Sequence, residues 1–341
     1  MPRIILHIGM PKTGTTALQR ALTKLRPDLV RAGALYPEPV YDNHDILSVA
    51  TRDFEFLSRQ YQQIYNGDPI AAKSDFDRWW SRTLEEITTT KPDLVLFSGE
   101  ALFSDMGAKE LRDLLGQISS EIVVVAYIRR PSSFFLSHLQ QHIKASRFAG
   151  PYEPMLYRTM LEHFAESFDC EVSAYDRSSL IQGDTITDFF SRFVPQFGLQ
   201  KAYTAQRSNE SLSAEAMALI QDFKRATEPD QNRVYTPETH YLLAAIRSVD
   251  TFYPSSRPVL KPGLADLIDH SDPDLLWLRE RYGVTFSGLD YDKVGSTDAS
   301  SITCPETSIE DICEVDADAR AKLTFRVIHN LAKRANLAAQ R

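Results

Sequence analysis

Cysteine is scarce in this chain of 341 residues: three occur, at positions 170, 304 and 313, and no two form a CxxC pair. Such spacing offers neither a zinc tetrad nor a disulfide framework, and it favours a reducing compartment. Long apolar runs are missing as well. No window approaches the roughly 18–20 apolar residues of a membrane span. The opening MPRIILHIG carries too short an apolar run for a secretory signal. The expectation is a soluble, cytoplasmic protein. Positive charge is in deficit, with 38 Lys and Arg against 46 Asp and Glu and a net charge of −8. A basic coat for nucleic acid is thereby excluded as a partner surface, although a local basic pocket is not. Oligomeric state leaves no mark on the sequence.

What is present suffices for a sizeable core, since 43% of residues are hydrophobic and 25% charged. Four short apolar runs read as buried parallel strands: Ile4–Ile8, Leu94–Phe97, Ile122–Ile128 and Val172–Tyr175. Helical patterns lie between them, over 15–25, 77–88, 108–118, 134–144 and 154–167. Strand alternating with helix predicts an α/β fold, a three-layer α/β/α arrangement around a central parallel sheet. Ligands of such sheets bind beyond the C-terminal strand ends. After about residue 200 only helical patterns appear, over 211–226, 237–252, 273–282 and 316–338, with a loop expected over 296–310. The domain expectation is therefore an α/β core over 1–200 and a mainly helical extension over 201–341, packed on the core and contributing to an acceptor cleft.

The first strand is followed by GMPKTGTTALQRAL. Its glycines let backbone approach an anion, and the following helix start aims N–H groups and positive dipole at it. Lys12 adds a point charge; Thr13, Thr15 and Thr16 add hydroxyls around Gly14. A Walker A loop has its lysine directly after the last glycine. Here the lysine precedes Gly14 by two positions. After the third strand comes RRPSSFFLS, with Arg129 at the strand end and Ser137 eight residues on, a two-point anion clamp. Taken alone, such a loop could be an unliganded turn and such arginines a solvated pair.

Together, PKTGTT and the Arg129, Pro131, Ser137 spacing resemble the two nucleotide-binding segments of the sulfotransferases that use 3′-phosphoadenosine 5′-phosphosulfate (PAPS). The resemblance covers roughly residues 3–195 and has a softer match at YDRSSLIQGDTITDFFSRF, with some flavour of the bacterial carbohydrate-type enzymes in RSNESLSAEA. It implies a P-loop-type sulfotransferase fold. It further implies that Lys12, Thr13, Gly14, Thr15 and Thr16 hold the 5′-phosphosulfate and Arg129 and Ser137 the 3′-phosphate. Lys12 would also stabilise the leaving oxygen. The reaction implied is sulfuryl transfer to an acceptor hydroxyl, carbohydrate or another bacterial metabolite, leaving adenosine 3′,5′-bisphosphate and needing no metal. The alternative reading is a P-loop kinase or NTPase.

In-line attack by a hydroxyl needs a group to take its proton. Glu100 in LFSGEALF closes the second apolar strand run at the ligand edge, the position of a carboxylate base in carbohydrate-type family members. His44 in YDNHDIL is the second candidate, with Asp42 or Asp45 able to orient it. Of the adjacent Trp79 and Trp80, one is expected in the core and the other along the acceptor cleft. His7 reads as a core or sheet-edge residue. His138 and His142 have metal-ligand spacing, but without carboxylate or cysteine companions they read as exposed or nucleotide-adjacent.

Overall fold

Apolar runs of five to seven residues, rich in Val, Ile and Leu, are too short for buried helices and form strands instead. In a computed structural model, which describes residues 1–150, 152–198, 211–228, 234–252, 256–297, 302 and 308–339, the strands are β1 (Arg3–His7), β2 (Ala34–Leu35), β3 (Leu94–Ser98), β4 (Ile122–Ile128) and β5 (Asp169–Ala174). The helices through the same stretch are α1 (Thr15–Arg31), α2 (Ser48–Thr51), α3 (Arg59–Ile64), α4 (Pro69–Thr90), α5 (Ala108–Gly116), α6 (Pro131–Ala145), α7 (Tyr157–Ala165) and α8 (Thr185–Phe193). Beyond residue 200 come α9 (Ala214–Thr227), α10 (Pro237–Phe252), α11 (Leu264–His270), α12 (Asp274–Tyr282), α13 (Ile309–Ile312) and α14 (Ala317–Ala339).

All strand pairs are parallel, and the order is β2-β3-β1-β4-β5. Alternate side chains serve opposite faces. Ile5, Leu94, Leu96, Val123, Val125 and Tyr127 pack against Leu18 and Leu22 of α1 and Phe189 and Phe190 of α8. Phe97, one step out of phase with Leu96, meets Trp79 of α4 on the other face, and α7 packs along β5. The expected three-layer α/β/α fold is what the chain adopts. Contacts divide the chain into two interleaved units. The first comprises Met1–Arg130, Leu156–Ser208 and Asp274–Gly288; the second comprises Pro131–Met155, Asn209–Pro273 and Leu289–Arg341.

The first unit contains the whole sheet. The second is helical among its described residues, with a core that includes Leu139, Met217, Ile220, Ala245 and Ile246 and one isolated bridge from Leu260 to Cys313. Within it Lys224 is wholly buried and fully paired: its Nζ donates to Glu228 Oε2 at 2.5 Å, Val234 O at 3.1 Å and Thr239 Oγ1 at 3.4 Å. That network fastens α9 to the start of α10. No helix among the described residues is long and apolar enough to cross a membrane.

Several local expectations need amendment. Helix α1 runs through Pro27 to Arg31 rather than stopping at Leu25, since Leu29 is drawn into the core. Helix α4 begins at Pro69, not Asp77. Asp68 caps it by accepting from Ile70 N at 2.9 Å and Ala71 N at 3.1 Å, with proline at the first helical position. Of the expected loop over 296–310, residues 309 and 310 belong instead to α13, whose start is set by the reciprocal Ser308–Asp311 box. Residues 298–301 and 303–307, with Cys304 among them, and residues 207–210 of RSNESLSAEA lie outside the described residues.

Trp79 and Trp80 are both core residues, 2% and 8% exposed. Trp79 Nε1 donates to Glu38 O at 2.7 Å, and Trp80 Nε1 donates to Gln117 Oε1 at 3.3 Å. Each indole therefore buries its rings and satisfies its one donor, which leaves neither for a ligand-lined cleft. Trp79→Ala is expected to cost about 3–5 kcal/mol, read as a lower urea midpoint at unchanged slope. Wild-type stability in that variant would show that the indole is not a core anchor.

Candidate functional site

Strand β1 is flanked by β3 on one side and β4 on the other, with His7 in register with both Ser98 and Val125. The chain leaves β1 towards β2 and β3, and later crosses to β4 and β5. A switch of direction of this kind opens a crevice at the C-terminal strand ends. Three segments emerge there: the Gly9 loop from β1, Glu100 from β3 and Arg129 from β4. Backbone bonds hold the ends together, Gly99 N donating to His7 O at 2.9 Å and Tyr127 N to Gly9 O at 3.1 Å.

The loop is shaped by left-handed residues at Gly9 (φ 94°), Lys12 (φ 67°) and Gly14 (φ 83°). Gly14 must be glycine on two counts. Its φ disfavours a side chain, and a Cβ there would stand 3.3 Å from Thr185 Oγ1 and 3.4 Å from the Tyr175 ring. Thr13 is buried and its hydroxyl donates to Met10 O at 2.6 Å, closing the loop on itself. Gly14 is also the N-cap of α1, which has no capping side chain and no acid in its first turn. Within α1 itself no side chain caps the first N–H groups or offsets the positive end; the carboxylate that reaches it, Glu100, comes from β3. Thr15 is buried and Thr16 exposed at this end.

Lys12, Thr15, Glu100 and Arg129 come together. The Thr15 hydroxyl donates to Glu100 Oε2 in a short hydrogen bond. Burial depresses the Lys12 ammonium below its usual range; the Glu100 carboxylate opposes that shift and the Arg129 guanidinium adds to it. Arg129 Nη1 donates to Lys12 O at 2.7 Å, and the guanidinium lies 5.5 Å from the Tyr175 ring centre. Tyr157 Oη donates to Arg129 O at 2.8 Å, so β4's end is anchored from α7. Arg130 is engaged elsewhere, donating to Ser287 O at 3.2 Å and attracting Asp176. Ser137, the expected companion of Arg129, sits half-buried on α6 in the second unit.

His44 does not fit the role of a second base. It is 0% exposed, its Nδ1 accepts from Ser98 N at 3.1 Å and its Nε2 donates to Pro37 O at 3.1 Å. Tyr36, Trp79 and Phe97 surround the ring. Both nitrogens are committed and no path leads to an acceptor, so His44 is a strut between the chain after β2 and the end of β3. His7 lies wholly in the core, with Nδ1 and Ser98 Oγ 2.8 Å apart and Gln19 Nε2 donating to the same hydroxyl at 3.2 Å. His138 is exposed on α6, its ring 6.2 Å from that of His142. Among the described residues no group of three or more His, Cys, Asp or Glu is placed to hold a metal ion.

Two residues at the site, Tyr175 and Thr185, which wall the Gly14 turn, were not singled out from the sequence. Only their location beside already suspect segments could have pointed to them. Asp45, read there as a possible partner of His44, instead accepts from Ala101 N at 2.8 Å beside Glu100. No protein-family model matches the chain, and no curated protein does. Among solved structures it has a weak likeness to a sulfotransferase from Alicyclobacillus acidocaldarius, at 12% identity over 84% of this chain and 98% of that one, TM-score 0.35. The sulfotransferase domain of the curacin biosynthetic pathway is 14% identical over 51% and 68%, TM-score 0.27. The PezAT chromosomal toxin–antitoxin system of Streptococcus pneumoniae is 17% identical over 54% and 74%, TM-score 0.29. Likenesses of this strength decide nothing about function.

Burial lowers both His7 and His44 to about 3. A depressed histidine stabilises the fold above its unfolded value, about 6.5. That stability is lost as pH falls from there towards 3, by up to about 1.4 kcal/mol per pH unit for each ring. Asp45, raised to about 6 chiefly by burial, acts oppositely between about 4 and 6, one group against two. Imidazole NMR should find His7 and His44 neutral at pH 5, and urea unfolding should find the protein weaker there than at pH 7. Titration of either ring near 6.5 would contradict their enclosure.

Proposed function

We propose that the protein is a PAPS-dependent sulfotransferase acting on an acceptor hydroxyl, with Glu100 as general base. The observation that carries the reading is the meeting of Lys12, Thr15, Glu100 and Arg129 at the ends of three adjacent parallel strands. An anionic donor fits the residues present: the start of α1 has neither capping side chain nor first-turn acid of its own, and the loop before it carries Lys12, whose carbonyl Arg129 grips. The Lys12–Thr16 loop would hold the phosphosulfate, and Arg129 with Ser137 the 3′-phosphate. When bound, the donor supplies an activated sulfuryl group.

The chain's own groups then have defined tasks. Glu100, held by the Thr15 hydroxyl, takes the proton of the attacking acceptor hydroxyl. Lys12 places positive charge where negative charge develops on the leaving oxygen. Arg129, by gripping the Lys12 carbonyl, fixes the loop that carries the ammonium. Carbohydrate is the acceptor class to which the sequence resemblance points. A reducing, cytoplasmic setting fits the two described cysteines, Cys170 and Cys313, which are unpaired and whose thiols burial pushes up to about 12.

With PAPS and a panel of polyhydroxyl acceptors, mass spectrometry should detect gain of one SO3 group on a product. Glu100→Gln should lower kcat by about 10²–10⁴-fold and leave nucleotide affinity unchanged. Failure of the wild-type protein to sulfate any acceptor, or full turnover by Glu100→Gln, would overturn the reading. Arg129→Ala should weaken nucleotide binding by about 2–4 kcal/mol, measured calorimetrically.

A further inference from the structure

Asp45 lies against the turn through which β3 delivers Glu100. Its Oδ1 accepts from Ala101 N at 2.8 Å, and the Glu100 amide also bonds to this carboxylate. A Cβ on Gly99 would come within 3.0 Å of Oδ1, so glycine at 99 is what lets the carboxylate sit this close to the backbone. The segment bearing Asp45 is fixed in its turn. Asp45 N donates to Asn43 Oδ1 at 3.0 Å, Ser48 Oγ donates to Asp45 O at 2.6 Å, and the preceding His44 N donates to Ser98 O at 2.7 Å. Asp45 cannot swing away without unfastening these bonds.

Four titratable or charged groups face Asp45 from the elements around it. They are Glu100 at the end of β3, Arg52 after α2, Tyr61 on α3 and Tyr36 after β2. Arg52 attracts it, yet Arg52 Nε is buried without a hydrogen-bond partner, so the attraction is Coulombic rather than a closed ion pair. Burial first, and then the Glu100 charge, push the Asp45 carboxyl up to about 6, against the hydrogen bond from Ala101. Two carboxylates therefore share one end of β3, and one of them changes charge within the working pH range.

We propose that Asp45 is a positioning residue for Glu100. Its ionised carboxylate clamps the Gly99–Glu100–Ala101 backbone so that Glu100 meets Thr15, and its protonation is felt at Glu100. The inference rests on Glu100 being the base, but its decisive readout needs no acceptor. A kinetic consequence accompanies it. As pH falls through about 6, Asp45 gains a proton, the clamp weakens, and kcat/KM acquires an acid limb.

The test is carboxyl-carbon NMR of protein labelled at Asp and Glu, with resonances assigned through Asp45→Asn and Glu100→Gln. Asp45→Asn keeps an oxygen to accept the Ala101 N–H while removing the charge, and a urea midpoint no lower than the wild type's certifies its fold. In the wild type, Glu100 should show a step in chemical shift at the pH where Asp45 titrates, and Asp45→Asn should erase it. Absence of that step in the wild type, or its survival in Asp45→Asn, overturns the inference. In transfer assays Asp45→Asn should lose the component of the acid limb near pH 6, at unchanged nucleotide affinity, while any limb from protonation of the base itself stays. Asp45→Ala, which loses the hydrogen bond too, should lower kcat by up to about 100-fold. Persistence in Asp45→Asn of the component near pH 6 also contradicts the coupling. Absence of any sulfuryl transfer by the wild type sinks the proposed function instead, and leaves the NMR step to decide the role of Asp45.

Discussion

Everything at the site follows from a central strand hydrogen-bonded on both sides to parallel neighbours. Because β1 pairs with β3 and β4 in matched register, the loop that leaves it emerges between Glu100 and Arg129. Sequence separations of 85 and more residues are thereby reduced to single hydrogen bonds, Thr15 to Glu100 and Arg129 to Lys12. A parallel sheet buried on both faces makes that placement rigid, since sliding one strand would turn its whole apolar set out of phase. The glycines and Lys12 at positive φ then fold the loop back over the sheet edge.

Beneath the groups that meet at the strand ends lies a second tier that fixes them. Ser98 joins His7, Gln19 and, through its backbone, His44, so the end of β3 is bonded on both sides before it releases Glu100. Neutral imidazoles suit this task, because a charged ring enclosed by Tyr36, Trp79 and Phe97 would be costly to bury. Asp45 completes the tier at the backbone of Glu100 and Ala101. Support from behind fixes where the end of β3 delivers Glu100.

The α/β/α layering was legible because each main strand is a short apolar run and each intervening helix has a clear period. The two-residue β2 was not, being too short to show any pattern. Helix α4 starts well before its apolar period begins, and the signal for its start was the Asp68–Pro69 pair, a cap rather than a stripe. At the site, Lys12, Thr15, Glu100 and Arg129 were readable from motif position on strand ends. His44 misled because a polar residue in a variable segment looks accessible in one dimension, whereas its two hydrogen bonds are to residues 7 and 54 positions away. Asp45 was readable only as a partner for the neighbouring His44: the partner it takes is the backbone of Ala101, 56 residues on, and no spacing rule encodes such a contact.

The central claim is that the cluster at the ends of β1, β3 and β4 receives a nucleotide bearing phosphate at both the 5′ and 3′ positions. Calorimetric titration of the protein with adenosine 3′,5′-bisphosphate and with adenosine 5′-monophosphate tests it most directly. The account predicts that the bisphosphate binds at least about 10-fold tighter, a difference of about 1.4 kcal/mol or more. Equal binding of the two, or none of either, would contradict it.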